Sequence, residues 1–142
     1  MRIMLEYLSM LSPTLNLQVG DVKSIPLVDA DRDNIEKMVQ DNIDISKEDW
    51  DSFETSWDFK LHPLVENQQY AATYHFDEQN SPAHHISAAY QMWVAATERR
   101  FQQLKTNEEE LNRIFIGIYG LQGELTPEVE DKDVTVRKAD LG

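Results

Sequence analysis

Four imidazoles, His62, His75 and the adjacent pair His84-His85, are the first candidates for chemistry in this chain. A zinc site needs ligands at spacings such as His-x-x-x-His, with further ligands and supporting hydrogen bonds behind them. Neighbouring histidines point in different directions on a helix or strand, so His84 and His85 chelate poorly as a pair. All four read as loop histidines. Asp49, Asp51 and Glu54 are the other candidates, as acid–base carboxylates or a cation site. They fall on an ordinary solvated helix face, and no oxygen-rich loop of the EF-hand kind surrounds them. The chain has no cysteine, which removes disulfides, thiolate metal sites and cysteine nucleophiles together. It contains no Walker-type glycine loop, no G-x-G-x-x-G and no G-x-S-x-G. No residue is therefore assigned a catalytic, cofactor-binding or metal-binding role, and enzyme activity is not expected of this chain alone.

The elements that would position any site centre on residues 86–119. Tyr90, Val94, Thr97, Phe101, Leu104, Glu108, Leu111, Phe115 and Ile118 follow an unbroken 4-3 spacing, which places them on one helical seam. Gly120 ends the pattern, as expected just past a helix terminus. Glu108 is the odd member of the seam. Thr106 and Glu109 could form a capping box that splits the helix near 104–106, but the continuous register predicts one helix. Asp31 can cap a second helix from about Arg32 to Asn42, with Ile35, Met38, Val39 and Asn42 on one face. Ser46 reads as the cap of a third helix. That third helix would carry Trp50, Phe53 and Trp57 at i, i+3 and i+7. Three aromatics on one stripe serve as structural or interface anchors, and Trp93, Phe101 and Phe115 join them. If Trp50 is a core residue, Trp50→Ala should cost about 3–5 kcal/mol. The alternative, a base-stacking platform, conflicts with the acidic neighbours Asp49, Asp51, Glu54 and Asp58.

The remaining segments carry weaker signals. Residues 2–11 form an apolar helix candidate, ended by Ser12-Pro13; Glu6 and the lack of a small-residue cleavage site argue against a signal peptide. Leu15, Leu17 and Val19 alternate with polar residues, Gly20-Asp21 suggests a turn, and Val22, Ile25 and Leu27 continue in extended form. Residues 66–85 are polar and read as a loop or a short frayed helix. An acidic stretch begins at about 121, and Val134 and Val136 alternate like the start of a strand. The predicted fold is thus mainly α. Its long helix, 86–119, packs antiparallel on helices in 32–57, with a small extended or hairpin segment near 15–27.

With 26 acidic and 13 basic residues the chain carries a net charge of -13. That balance opposes direct gripping of nucleic-acid phosphates. It leaves a soluble acidic surface, or an acidic face that docks a basic partner or mimics DNA. No apolar run is long enough to span a membrane, and the absence of cysteine fits a reducing cytoplasm.

Two blocks add a resemblance that periodicity does not supply: IDISKEDWDSFETSWDFKLHPL at 43–64, and ERRFQQLKTNEEELNRIFIGIYGLQGELTPEVEDKDVTVRKADL at 98–141. Both resemble the central region of large PglX-type adenine-specific DNA methyltransferases of phage-exclusion systems, and of related type II restriction-modification enzymes. The stretch MLSPTLNLQVGDVKSIPLV, 10–28, resembles the point where the methyltransferase core of such proteins ends. The resemblance implies a remnant of that core at 1–28 and a helical spacer domain at 29–142. It also implies S-adenosylmethionine as cofactor of the parent protein, and DNA as a partner only through that parent. The family's Asn-Pro-Pro-aromatic motif is absent, since Asn42, Asn67 and Asn80 are not followed by Pro-Pro, so no functional residue is carried over. The function expected is a non-catalytic segment that positions the catalytic and target-recognition parts. A stand-alone acidic interaction module or DNA mimic is the alternative, and a homodimer could cover the apolar N-terminal segment.

Overall fold

The computed structural model describes residues 8–10, 18–26, 28, 32–74 and 82–138, with backbone alone over 69–74 and 82–85. Among the described residues, helices α1 (Val19–Lys23), α2 (Arg32–Asp51), α3 (Pro63–Tyr74) and α4 (Pro82–Tyr119) are followed by a 3₁₀ turn at Asp131–Asp133. Among the described residues there is no strand. The chain is mainly α, as its periodicities predict.

The extended reading of 15–27 is corrected where it can be judged. Residues 15–17 and 27 lie outside the described residues, but Val19 to Lys23 form a helical turn. A strand here would need a partner ladder for its N–H and C=O groups. The helical turn satisfies them locally instead. Asp21 accepts the Gln18 N–H at 3.0 Å, and the Ser24 hydroxyl donates to the Asp21 carbonyl at 2.7 Å.

The predicted break between Asn42 and Ser46 is also corrected, because α2 runs unbroken for 20 residues. Ile35, Met38, Asn42, Ile45 and Asp49 continue one 3-4 seam and are all half-buried. No Gly or Pro interrupts the segment, so Ser46 sits inside the helix rather than capping a new one. The helix ends at Asp51, short of the predicted aromatic helix. Beyond it the backbone folds into successive turns, with Phe53 N–H to the Trp50 carbonyl at 3.2 Å and Ser56 N–H to the Phe53 carbonyl at 3.0 Å.

Helices α3 and α4 both start on proline, whose missing N–H is harmless in a first turn. At α3 the His62 ring nitrogen Nδ1 accepts the Leu64 N–H at 3.1 Å. His62 is therefore a helix cap, and the stretch after it is helical to Tyr74 rather than a loop. Helix α4 spans 38 residues without a break at Thr106, or about 57 Å at 1.5 Å per residue. Its end is closed by Gly120, at φ 69°. The Leu121 N–H bonds the Ile116 carbonyl at 2.9 Å and the Gly120 N–H bonds that of Gly117 at 3.2 Å. These two bonds make a Schellman motif.

The buried positions of α4 are Ala89, Thr97, Phe101, Leu104, Asn107, Leu111, Asn112 and Ile116. They cover roughly half the helix circumference, more than one seam. A 3.5-residue seam drifts by about 20° per heptad on a straight helix, so burial passes from the seam positions to their neighbours Asn112 and Ile116. Thr97 is buried with its hydroxyl donating to the Val94 carbonyl at 2.9 Å, which removes the penalty of an unsatisfied group.

The chain divides into two compact units. One comprises Met1–Gln40 and Lys105–Lys132. Here the acidic stretch after Gly120 is a strap laid along α4. Asn112 Nδ2 donates to the Pro127 carbonyl at 3.1 Å, the Val129 N–H to Glu109 Oε1 at 3.2 Å, and Lys105 Nζ pairs with Asp131 at 2.7 Å. Numbers fall on the helix as they rise on the strap, so the two run in opposite directions. Tyr119 donates its hydroxyl to the Pro26 carbonyl in the same unit. Glu108 lies half-buried here, and burial raises its carboxyl above the usual range.

The other unit comprises Asp41–Leu104 and Asp133–Gly142. Its core holds Ala89, Phe101 and Leu104, the last 1% exposed, together with Val134 and Val136. The alternation at 134–136 does bury one face, as a strand would, but no ladder forms.

Candidate functional site

Among the described residues, the second unit brings together ionic and aromatic groups, some of which the sequence singled out. The end of α2 presents Lys47, Glu48 and Asp51, the turns 52–61 follow, and α3 and α4 add Pro63, Glu66, Trp93 and Arg100. Together they line an open groove of about 540 Å³. Lys47 organises one wall. Its ammonium donates to Asp51, one turn away on α2, and to Asp58 at 2.9 Å, across the turns. These two bonds, Asp51 first, push the lysine above its ordinary range. Asp51 is held low in return, by Lys47 first and then by the Ser56 hydroxyl, which donates to it at 2.6 Å. Ser56 Oγ also accepts the Asp58 N–H at 3.1 Å. Residues 51–58 are therefore clamped into a compact knuckle.

Arg100 organises the other wall. It pairs with Glu48 at 3.3 Å, and among the described residues its buried Nε finds no hydrogen-bond partner. Asp49 lies nearby, half-buried. Burial raises its carboxyl, against the opposing charges of Arg100 and Arg137 and a hydrogen bond from the Arg137 backbone.

Asp49 and Asp51 turn to different cations, and Glu54 is exposed. Ser52 donates to the Glu48 carbonyl at 2.8 Å and Ser56 to Asp51, so neither hydroxyl meets a histidine. His62 packs on Trp93, ring centroids 5.8 Å apart. His84 and His85 belong to the first turn of α4 rather than to a loop; their side chains and His75 lie outside the described residues. No group of three or more potential metal ligands occurs among the described residues.

The aromatic anchors separate into two sets. Phe101 is buried, with Lys138 Nζ 4.5 Å from its ring centre. Trp93 and Phe115 are half-buried on α4. Trp50 and Phe53 are 59% and 42% exposed, and Trp57 is fully exposed. Of the two anchor roles expected for them, core or interface, this exposure is that of surface residues. Trp50 lies in the last turn of α2, which stops at Asp51, and Phe53 and Trp57 lie in the knuckle beyond it. The sequence also left the Lys47–Asp58 pair unmarked. Lys47 and Asp51, four apart on a helix, were a readable signal; Asp58 was not.

No protein-family model matches the chain. Its relatives are adenine-specific methyltransferases. Over 135 residues, 95% of its length, it is 44% identical to the adenine-specific methyltransferase PglX of Lacticaseibacillus casei (strain Zhang). Over 122 residues, 86% of its length, it is 29% identical to the adenine-specific methyltransferase BrxX of Escherichia coli O9:H4 (strain HS). The chain spans about a tenth of these proteins, 10% of the first and 9% of the second. The resemblance read from residues 43–64 and 98–141 thus extends along nearly the whole chain. No helix among the described residues is long and apolar enough to cross a membrane.

Proposed function

We propose that this chain is a non-catalytic helical segment of a DNA adenine-specific (N6) methyltransferase, and that it sets the distance between the catalytic and target-recognition parts. The observation that carries this reading is the 44% identity along 95% of the chain to a protein of which it matches only 10%. The Lys47, Asp51 and Asp58 arrangement is a mechanical clamp rather than a reacting group. A strapped α4 of about 57 Å suits a strut. S-adenosylmethionine and DNA are then handled by other parts of the longer protein.

Two measurements test the proposal. The chain alone, incubated with S-adenosylmethionine and duplex DNA, should transfer no methyl group; turnover refutes a non-catalytic role. Exchanging this chain for the matching segment of the L. casei PglX should preserve methylation by the full-length chimera. A chimera without activity refutes the role as an equivalent segment.

A further inference from the structure

We infer that the knuckle at 51–58 is a docking point, and that Trp57 seats in an apolar, basic-rimmed pocket on another part of the longer methyltransferase polypeptide. The inference rests on the segment reading above and names the surface through which the segment is held.

Single exposed apolar side chains are ordinary on protein surfaces. This case differs in density and in rigidity. Trp50, Phe53 and Trp57 fall within eight residues and are all exposed. Their exposed area is on the order of 400 Å², about half of one partner's share of a standard interface. Tryptophan is also the residue that most often dominates interface energetics.

The segment is held in place rather than left loose. Lys47 ties both ends of the turns, through Asp51 and Asp58, and Ser56 bonds to Asp51 and to the Asp58 N–H. The backbone adds three successive four-residue turns, closed by bonds from Phe53 N–H to Trp50, Ser56 N–H to Phe53 and Phe59 N–H to Ser56 carbonyls. A loop fixed before binding loses little entropy on docking. Such a clamp does nothing for Trp57 in the isolated chain, where the indole touches water on every side.

Charge fixes the chemistry of the occupant. Of the five acids between 47 and 58, Asp51 and Asp58 pair with Lys47, Glu48 pairs with Arg100 and Asp49 lies beside Arg100 and Arg137, while Glu54 stands exposed three residues from Trp57. An apolar pocket with an Arg or Lys at its rim complements that exposed carboxylate, while a second copy of this chain, at net charge -13, repels it. A source for the pocket is at hand, since the matched segment is only 10% of the length of its relative.

Hydroxyl-radical footprinting reads the prediction directly, on the isolated chain and on the full-length chimera with L. casei PglX. Trp57 should oxidise readily in the isolated chain and at least tenfold more slowly in an active chimera, while the half-buried Trp93 changes little. Glu54→Lys in the chimera should return a few-fold of the Trp57 reactivity. An active chimera in which Trp57 oxidises as fast as in the isolated chain overturns the docking point and leaves the segment reading standing. An inactive chimera overturns the segment reading and the inference with it. Protection of Trp57 in the isolated chain that grows with protein concentration assigns the surface to a second copy, and overturns the proposed occupant.

Discussion

Two glycines three residues apart at the end of α4 should respond to alanine with opposite signs. Gly120 sits past the helix at φ 69°, in the left-handed region. Gly117 lies in the last turn of the helix itself. A methyl group added at either position meets no atom within 4 Å. Steric clash is thus removed from both cases, and only backbone conformation remains. At Gly120, alanine must hold a left-handed backbone, which costs roughly 1–2 kcal/mol. Stiffening of the unfolded chain at an incompatible φ does not offset that. At Gly117 the native backbone is helical, and alanine is better than glycine there by up to about 1 kcal/mol. The position near the helix end reduces that gain to roughly half. Gly120→Ala should therefore lower the melting temperature by roughly 3 °C, and Gly117→Ala should raise it by about 1–2 °C. Thermal and urea unfolding followed by far-ultraviolet circular dichroism measures both. Equal signs for the two variants would refute the assignment of the helix end between them.

Further perturbations address the strap, the seam and the knuckle. Asn112→Ala removes the bond to the Pro127 carbonyl from a buried amide, so stability should fall by about 1–2 kcal/mol, with proteolysis rising first within 121–132. Glu108 is raised by burial, so the folded state binds its proton more tightly than the unfolded one. Stability from this group is then full below the usual glutamate range and is lost as pH rises through the folded value. Glu108→Gln should consequently stabilise at neutral pH, by less than about 1 kcal/mol for a half-solvated group, and gain nothing in acid; a gain of equal size at both pH values counts against the burial argument. Lys47→Met should leave global unfolding within about 0.5 kcal/mol, since exposed ion pairs contribute little, yet speed amide exchange at 52–58. Trp50→Ala should cost about 1 kcal/mol in the isolated chain, well short of a core truncation, and denaturant titration decides between the two.

What could be read from the sequence followed the range of the interactions. Helix α4 was legible because its seam and Gly120 are local signals, and they agree. Helix α2 was read in two pieces because Ser46 looks like a cap. The seam Ile35, Met38, Asn42, Ile45, Asp49 carried the contrary evidence and was stronger. The aromatic stripe failed for a different reason. Trp50, Phe53 and Trp57 line up only while a helix continues, but α2 stops at Asp51, and the turns beyond it carry contacts that no spacing rule contains. Lys47 reaches Asp58 across eleven residues, and Ser56 reaches back to Asp51. Alternation at Val134 and Val136 correctly marked an apolar face, but a two-residue period does not say whether a sheet or a helix receives it. The groove was equally illegible, since Arg100 and Glu48 meet only after the chain has folded.

The two compact units are interleaved in sequence, Met1–Gln40 with Lys105–Lys132 and Asp41–Leu104 with Asp133–Gly142. No single cut of the polypeptide between 41 and 132 releases either unit whole. Truncation series, limited proteolysis and domain swaps drawn at linear boundaries will therefore report mixtures of damage. The same order governs folding during synthesis. The unit begun at Asp41 lacks Val134 and Val136, two of its most buried side chains, until some ninety residues later. Until then its half-built core, Phe101 and Leu104 included, has to wait in water or under a chaperone.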